Sequence, residues 1–423
     1  MASVFLLHLR WALSGEEICD LRLEAHSPIA GVLAALEACK EPETCQFSVL
    51  LDGLLLSEGR SLAESGVFDG VTLDVVRSSP CIALTTCADC TAKVWNTANG
   101  RCLLSLTGHN HLVGWASFSP DGRWIVTASA DCTARVWDLS DGTCRWALTG
   151  HGSGVCCANF SPDSSKIVTA SHDATARIWM VDSLDCGLTS YRLEGHRADV
   201  CHAMFSPDGL LVSTASEDAT ARLWTNSGIL RSALEGHSGG VESAVFSPDG
   251  QYLVTASLDS TAKVWRVAKG SEQTVCVFTL RGHGESLGTS FFSNDSQKVI
   301  SVSDDGSGKL WSAEDGLCLA TLGKLRDICS AAAFSPDSQL VATASHDGAV
   351  HLWRAHCGSW SQELAGHSEA VFSVAFSPDC QFIGTASDDS TARIWCAQTG
   401  RCLRVLAHPG GVYSVKFVPS QRA

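Results

Sequence analysis

Eight tryptophans, at positions 95, 137, 179, 224, 265, 311, 353 and 395, follow one another at intervals of 42, 42, 45, 41, 46, 42 and 42 residues. The register extends beyond the tryptophan. Six residues before each stands an aspartate: 89, 131, 173, 218, 259, 305, 347 and 389. Ten residues before each stands a hydroxyl: Thr85, Thr127, Thr169, Thr214, Thr255, Ser301, Thr343 and Thr385. A period of this length means stacked copies of one supersecondary unit, none of which buries its apolar face alone.

Each unit reads as short strands. Ile125 to Thr127 and Ala134 to Trp137 are β-branched or alternating, with Asp131 at the tight turn between them. Six copies carry a Ser-Pro-Asp turn such as Ser119, Pro120 and Asp121, where proline fixes φ at the second position. A unit of this size supplies about four antiparallel strands, one blade of a β-propeller.

Composition narrows the partners. The 423 residues include 45 acidic and 30 basic side chains, a formal net charge of −15. A phosphate-binding surface needs clustered Lys and Arg, so this balance argues against nucleic acid and anionic membranes and favours basic partners. Twenty cysteines would suit a secreted disulfide scaffold. Many of them, however, stand where other copies carry Ala, Ser or Val, and no signal peptide precedes them. Reduced thiols in the cytoplasm, or in the nucleus, are the expectation. No run reaches the ~18 apolar residues of a spanning helix.

Residues 81–420 closely resemble the WD-repeat family. That family's Gly-His pair is present, as in Gly108-His109 and Gly366-His367. His109, His151, His196, His237, His283 and His367 each stand 28 residues before their tryptophan. The resemblance implies a buried hydrogen-bonded chain in each blade: His109, Thr127, Asp131 and Trp137 in one, His367, Thr385, Asp389 and Trp395 in another. An orphaned buried member costs about 1–3 kcal/mol, which keeps all four at constant spacing. Leu325 stands where one blade's histidine belongs, leaving Thr343, Asp347 and Trp353, and this blade is expected to be the weakest.

The first unit, Cys81 to Trp95, has no histidine before it. His408 is followed by Val412 and Phe417 as His367 is by Val371 and Phe376. Residues 412–418 are therefore expected to be the innermost strand of the first blade, with His408, Thr85, Asp89 and Trp95 as its set. Joining the two ends removes open sheet edges. The expected fold is an all-β, eight-bladed propeller preceded by a small α+β domain.

That domain, residues 1–77, resembles ubiquitin. Phe47 to Gly53, Leu56, Gly59 to Leu62 and Val71 to Arg77 follow the second half of the ubiquitin fold, and Ile29–Cys39 would be its helix, with Ile29, Val32, Leu33 and Leu36 as the apolar stripe. Leu50 and Val76 either match part of ubiquitin's exposed apolar patch, where Asp74 is a departure, or pack in the core. The chain runs on through a short linker, 78–80, without a Gly-Gly end, so a docking module is expected rather than a conjugated tag.

Catalysis is not expected. The Thr/Ser, His and Asp sets recur in nearly every blade, whereas an active site is normally unique. Cys87 and Cys90 have zinc-ligand spacing, but they align with Ser129 and Cys132 of the next copy, and a lone pair is weak. No metal and no cofactor are expected. The basic residues two before most tryptophans (Lys93, Arg135, Arg177, Arg222, Lys263, Lys309, Arg393) fall on the Trp side of their strands, where they pack or pair with acids.

In WD-repeat proteins partners often dock on the face carrying the His loops and Asp turns, through positions three and five after each His and one before each Asp. Carried onto this chain, these positions give Leu112, Phe372 and Tyr413, an apolar and aromatic sector interrupted by Asp388. Farther round they give the acidic Asp199, Glu217, Glu242 and Asp304, with His172 and His346 at two further places. Either these are scattered surface residues, or a basic-flanked peptide binds with Phe372 and Tyr413 as anchors. The resulting expectation is a non-enzymatic scaffold for assembling a multiprotein complex, itself a monomer within it. The alternative is a ubiquitin-pathway adaptor or substrate receptor. The architecture resembles the Notchless family of ribosome-assembly factors and eight-bladed assembly factors for ciliary dynein.

Overall fold

In each repeat the strand that follows the His loop ends on phenylalanine. Val113–Phe118, Val155–Phe160 and Val200–Phe205 open on valine and end on phenylalanine, and both ends are buried. The computed structural model describes residues 4–11, 17–33, 46–51, 54–56, 60–78, 81–181, 190–268, 273–324 and 327–419. Between Ile82 and Val418 it contains eight four-stranded antiparallel sheets, each holding one of the eight tryptophans. Each sheet is named below by that tryptophan.

The Trp137 sheet is typical. Its innermost strand Val113–Phe118 pairs with Trp124–Ser129, which pairs with Ala134–Asp138, and Cys144–Leu148 forms the outer edge. Burial peaks on the second strand, which is buried throughout, and is least on the outer strand. The innermost strands pack on one another in a closed cycle in which Val371–Phe376 meets Val412–Phe417, which meets Val113–Phe118. Adjacent sheets bury their faces together, as where Trp124, Val126 and Val136 meet Ala158, Phe160 and Trp179.

The Trp95 sheet is assembled from both ends of the chain. Val412–Phe417 pairs antiparallel with Ile82–Cys87, matching Val415 to Thr85. Ala92–Asn96 and Cys102–Leu106 complete it. The expected closing strand is thus present, ending one residue earlier than anticipated.

The N-terminal residues form a separate compact unit, divided from the rest between Cys81 and Ile82. It holds a five-stranded sheet of β1 (Val4–Trp11), β2 (Glu17–Glu24), β3 (Gln46–Leu51), β4 (Leu54–Leu55) and β5 (Thr72–Ser78), in the order β2-β1-β5-β3-β4. β1 and β5 are parallel, and the other pairs are antiparallel. A helix begins at Ile29, and its Ile29 and Val32 join Leu7, Leu9, Val49, Leu62 and Leu73 in one core. The described part of that helix ends at Leu33, so the rest of the expected helix lies outside the described residues. β5 runs through Ser78, one residue into the expected linker. No helix among the described residues is long and apolar enough to cross a membrane.

Candidate docking face

One hydrogen-bonded chain recurs and fixes the loops at one end of the sheets. In the Trp137 sheet, Trp137 Nε1–H donates to Thr127 Oγ1 (2.9 Å), Thr127 lies 2.7 Å from His109 Nε2, and His109 Nδ1 lies 2.8 Å from Asp131 Oδ2. The arrangement fits a neutral imidazole that accepts at Nε2 and donates from Nδ1. Burial pushes the His109 pKa down, against the pull of Asp131. Burial would raise Asp131, but hydrogen bonds from Thr133, the Asn110 N–H and His109 outweigh it and hold the carboxyl at about 2. The chain His367, Thr385, Asp389 and Trp395 is equally complete. In the Trp311 sheet Ser307 takes the place nearest His283 Nδ1, at 3.0 Å, with Asp305 at 3.4 Å.

The closing sheet corrects one expectation. Trp95 donates to Thr85 (2.8 Å), and Thr85 lies 3.1 Å from His408 Nε2, but Asp89 makes no hydrogen bond to His408, whose buried Nδ1 has no partner. The cause is the next residue. In six other sheets the N–H after the histidine donates to the same carboxylate oxygen, as Asn110 does to Asp131. Here Pro409 follows and has no N–H to give. In the Trp353 sheet Trp353 still donates to Thr343 (2.9 Å), while among the described residues Asp347 accepts from the Ala349 N–H alone. Leu325 lies outside the described residues.

Two backbone features then build the face. The N–H of the residue before each Asp donates to the carbonyl three residues after the His, as Ala130 does to Leu112, Glu217 to Asp199 and Ala88 to Gly411. These bonds bring together the two loop positions singled out from the sequence. In addition, every innermost strand carries a bulge at its second residue, so Val371 pairs with Ser387, Ser373 with Ala386, and Phe372 is left out of the ladder. Tyr413, Cys201 and Glu242 are the bulged residues of their strands. A bulge re-aims its side chain out of the pleat. This is the physical reason for the position five after each histidine.

Neighbouring bulges cluster the aromatic residues. The Phe372 and Tyr413 rings lie 5.6 Å apart, and His346 meets Phe372 edge-on, also at 5.6 Å. His346 was set apart from these two in the sequence, and the structure joins it to them. All three are half-buried, as is Leu112, while Asp388 and His172 are exposed.

Farther round, Glu242 is pushed up by burial and by the charges of Glu217 and Asp304. Cys201, five residues after His196 and passed over in the sequence reading, places its sulfur within 4.8 Å of the Glu217 and Glu242 carboxylates. Burial and the acids Glu242, Glu217 and Asp199 push its thiol up to about 12, so it stays protonated. Leu258, before Asp259, is also exposed on this side at 46%.

Other candidates resolve into repeat geometry. Cys87 takes the role that Ser129 has elsewhere: Ser129 bonds the His111 carbonyl, and Cys87 Sγ bonds the Gly410 carbonyl at 3.3 Å. Cys90 and Cys132 both occupy the left-handed position after the turn aspartate. Cys87, Cys90 and Cys132 form no disulfide among the described residues. Lys93, Arg177 and Arg393 lie over their tryptophan rings at 5.8–5.9 Å, and none forms an ion pair among the described residues. They pack on the rings, and Arg177 also donates to the Gly150 carbonyl (2.7 Å) and the Ser190 hydroxyl (3.2 Å). Leu50 and Val76 belong to the paired strands β3 and β5, and their side chains lie outside the described residues.

A family profile described as the IFT122 first β-propeller matches residues 80–354, more than half of the chain, and one described as the WD domain, G-beta repeat, matches residues 358–396. No curated protein matches the chain.

Proposed function

The chain belongs to the WD-repeat β-propeller family, and on that premise we propose that it is a non-enzymatic scaffold for assembling a multiprotein complex. Propellers of this family mediate protein–protein interaction. The observation that carries the reading is the stack of His346, Phe372 and Tyr413 on bulged and turn positions beside an acidic sector. Half-buried aromatic side chains are the usual energetic centre of an interface. The partner is a protein or peptide with an apolar anchor on this stack and basic flanks facing Asp199, Glu217, Glu242 and Asp304.

The eight sheets are eight blades, and the protein acts as a monomer within the complex, in the cytoplasm or nucleus. The N-terminal unit is a ubiquitin-like docking module. The sheet order β2-β1-β5-β3-β4 and the helix packed into the same core support that reading. The same observation favours the second reading, a ubiquitin-pathway adaptor.

Affinity purification of the wild type and of a Phe372→Ala, Tyr413→Ala double variant tests both. The variant is expected to lose its partners while keeping the wild-type melting temperature, and retention of every partner removes the site. Co-purifying ligase or proteasome subunits select the adaptor reading, whereas other assemblies select the scaffold.

A further inference from the structure

The innermost strands enclose a space that the docking face does not use. At the fifth residue of these strands only Lys416 is charged, where its counterparts include Ser117, Asn159 and Met204. Lys416 Nζ lies 4.9 Å from the Trp115 ring, and that ring meets His202 at 6.3 Å. Trp115 and His202 sit on Val113–Phe118 and Val200–Phe205, with Val155–Phe160 between those strands in the cycle. Their contact therefore crosses the enclosed space, and the side chains point into it. Asn159 steadies the tryptophan, accepting from its Nε1–H at 3.4 Å.

The polar groups here are not satisfied by protein. Lys416 is half-buried, and a lysine drawn away from water is normally paired, because an uncompensated charge in a low-dielectric site is costly. Yet Lys416 makes no ion pair among the described residues; the Cys157 thiol acts on it, and its own charge helps to push the His202 pKa down. His202 Nδ1, Ser243 Oγ and Ser414 Oγ, all at the third residue of innermost strands, are buried without a hydrogen-bond partner. Ser243 and Ser414 are only 4% exposed, and Ser414 stands two residues from Lys416 on the same strand. Orphaned buried groups of this kind call for a ligand or ordered solvent.

We infer that the centre of the ring binds an oxyanion, a phosphate or a carboxylate, with Lys416 as counter-charge and the Ser414 hydroxyl, on the same strand, as hydrogen-bond donor beside Trp115. The Ser414 hydroxyl donates, while burial and the charge of Lys416 hold the His202 pKa down at about 4 and keep that ring neutral. Arginine-free sites of this kind hold the anion as a point charge.

Titration calorimetry of the full chain with inorganic phosphate, and separately with succinate, tests the inference. At least one anion is expected to bind at a single saturable site, and which one tells phosphate from carboxylate chemistry. Lys416→Met weakens that binding about tenfold or more, the effect of one lost charge-assisted contact. The anion-free variant melts no lower than the wild type, because no ion pair is broken, so weaker binding is not unfolding. Ser414→Ala carries the same test should the methionine variant not fold. Absence of saturable binding by either anion, or equal affinity in wild type and variants, overturns the site.

Discussion

The Trp137 and Trp95 sheets carry the same four residue types, yet one completes a hydrogen-bonded chain and the other does not. In the Trp137 sheet Asp131 Oδ2 accepts from both His109 and the Asn110 N–H, while Oδ1 accepts from the N–H and hydroxyl of Thr133. In the Trp95 sheet Asp89 keeps the Thr91 bonds but not the histidine. The difference lies in a backbone donor, Asn110 against Pro409, rather than in any of the four named side chains. A buried polar chain is satisfied as a whole or not, and its scaffolding atoms count as members. The sheet that closes the ring therefore does so with the less complete network, and packing must hold it.

Removing everything after Ala407 tests that statement with the largest effect. Val412, Val415 and Phe417 are buried against their neighbours. At ~1.5–3 kcal/mol for each buried apolar side chain, their loss alone costs on the order of 5 kcal/mol. It also leaves the strand Ile82–Cys87 with an unpaired edge. A sharp fall in melting temperature with aggregation is expected, and unaltered thermal unfolding breaks the comparison at its root.

A smaller effect separates the two sheets directly. Asp131→Ala orphans the buried His109 Nδ1 and the Asn110 N–H, and about 2 kcal/mol of stability is expected to go. Asp89→Ala removes the turn bonds to Thr91 and a contact with the Cys87 thiol but none to a histidine, and its expected cost is under ~1 kcal/mol. Urea unfolding of the two variants measures the gap. Equal losses would mean that Asp89 supports His408 after all.

Much of this was legible in the residues before any coordinates. The tryptophan period located the strands and the Asp turns, and the pairing of Val412 to Phe417 with the first unit followed from where a histidine was missing. Phe372 and Tyr413 were found by their offset from the histidine, although the bulge that turns them outward leaves no composition signal of its own. His346 joined them only because ring neighbours that are distant in sequence are adjacent in space. Lys416 was overlooked for a similar reason. One lysine in an alternating strand reads as a surface residue, and its surroundings come from strands far earlier in the chain. Pro409 was visible throughout, but its missing N–H matters only once the Asn110 bond is known.

The finest test restores that donor. Pro409→Ala gives the closing loop an N–H that Asp89 can accept, which draws the carboxylate towards His408. Burial, with the nearby charge of Lys93, holds the His408 pKa down at about 4, against 6.5 for a free histidine. A histidine kept neutral in the folded state contributes stability that is full above about pH 6.5 and is lost as pH falls towards 4, because the unfolded chain takes up the proton first. In the variant, Asp89 favours the protonated ring and raises the folded value towards 6.5, so less stability is lost across this window. The expected gain is about 0.5–1 kcal/mol at pH 7, the net worth of one hydrogen bond, with a flatter profile between pH 6.5 and 4. Part of any gain is offset by the extra freedom alanine has in the unfolded chain. The slope of melting temperature against pH is therefore the decisive reading, and a slope identical to the wild type shows that Pro409 is not what separates the two sheets.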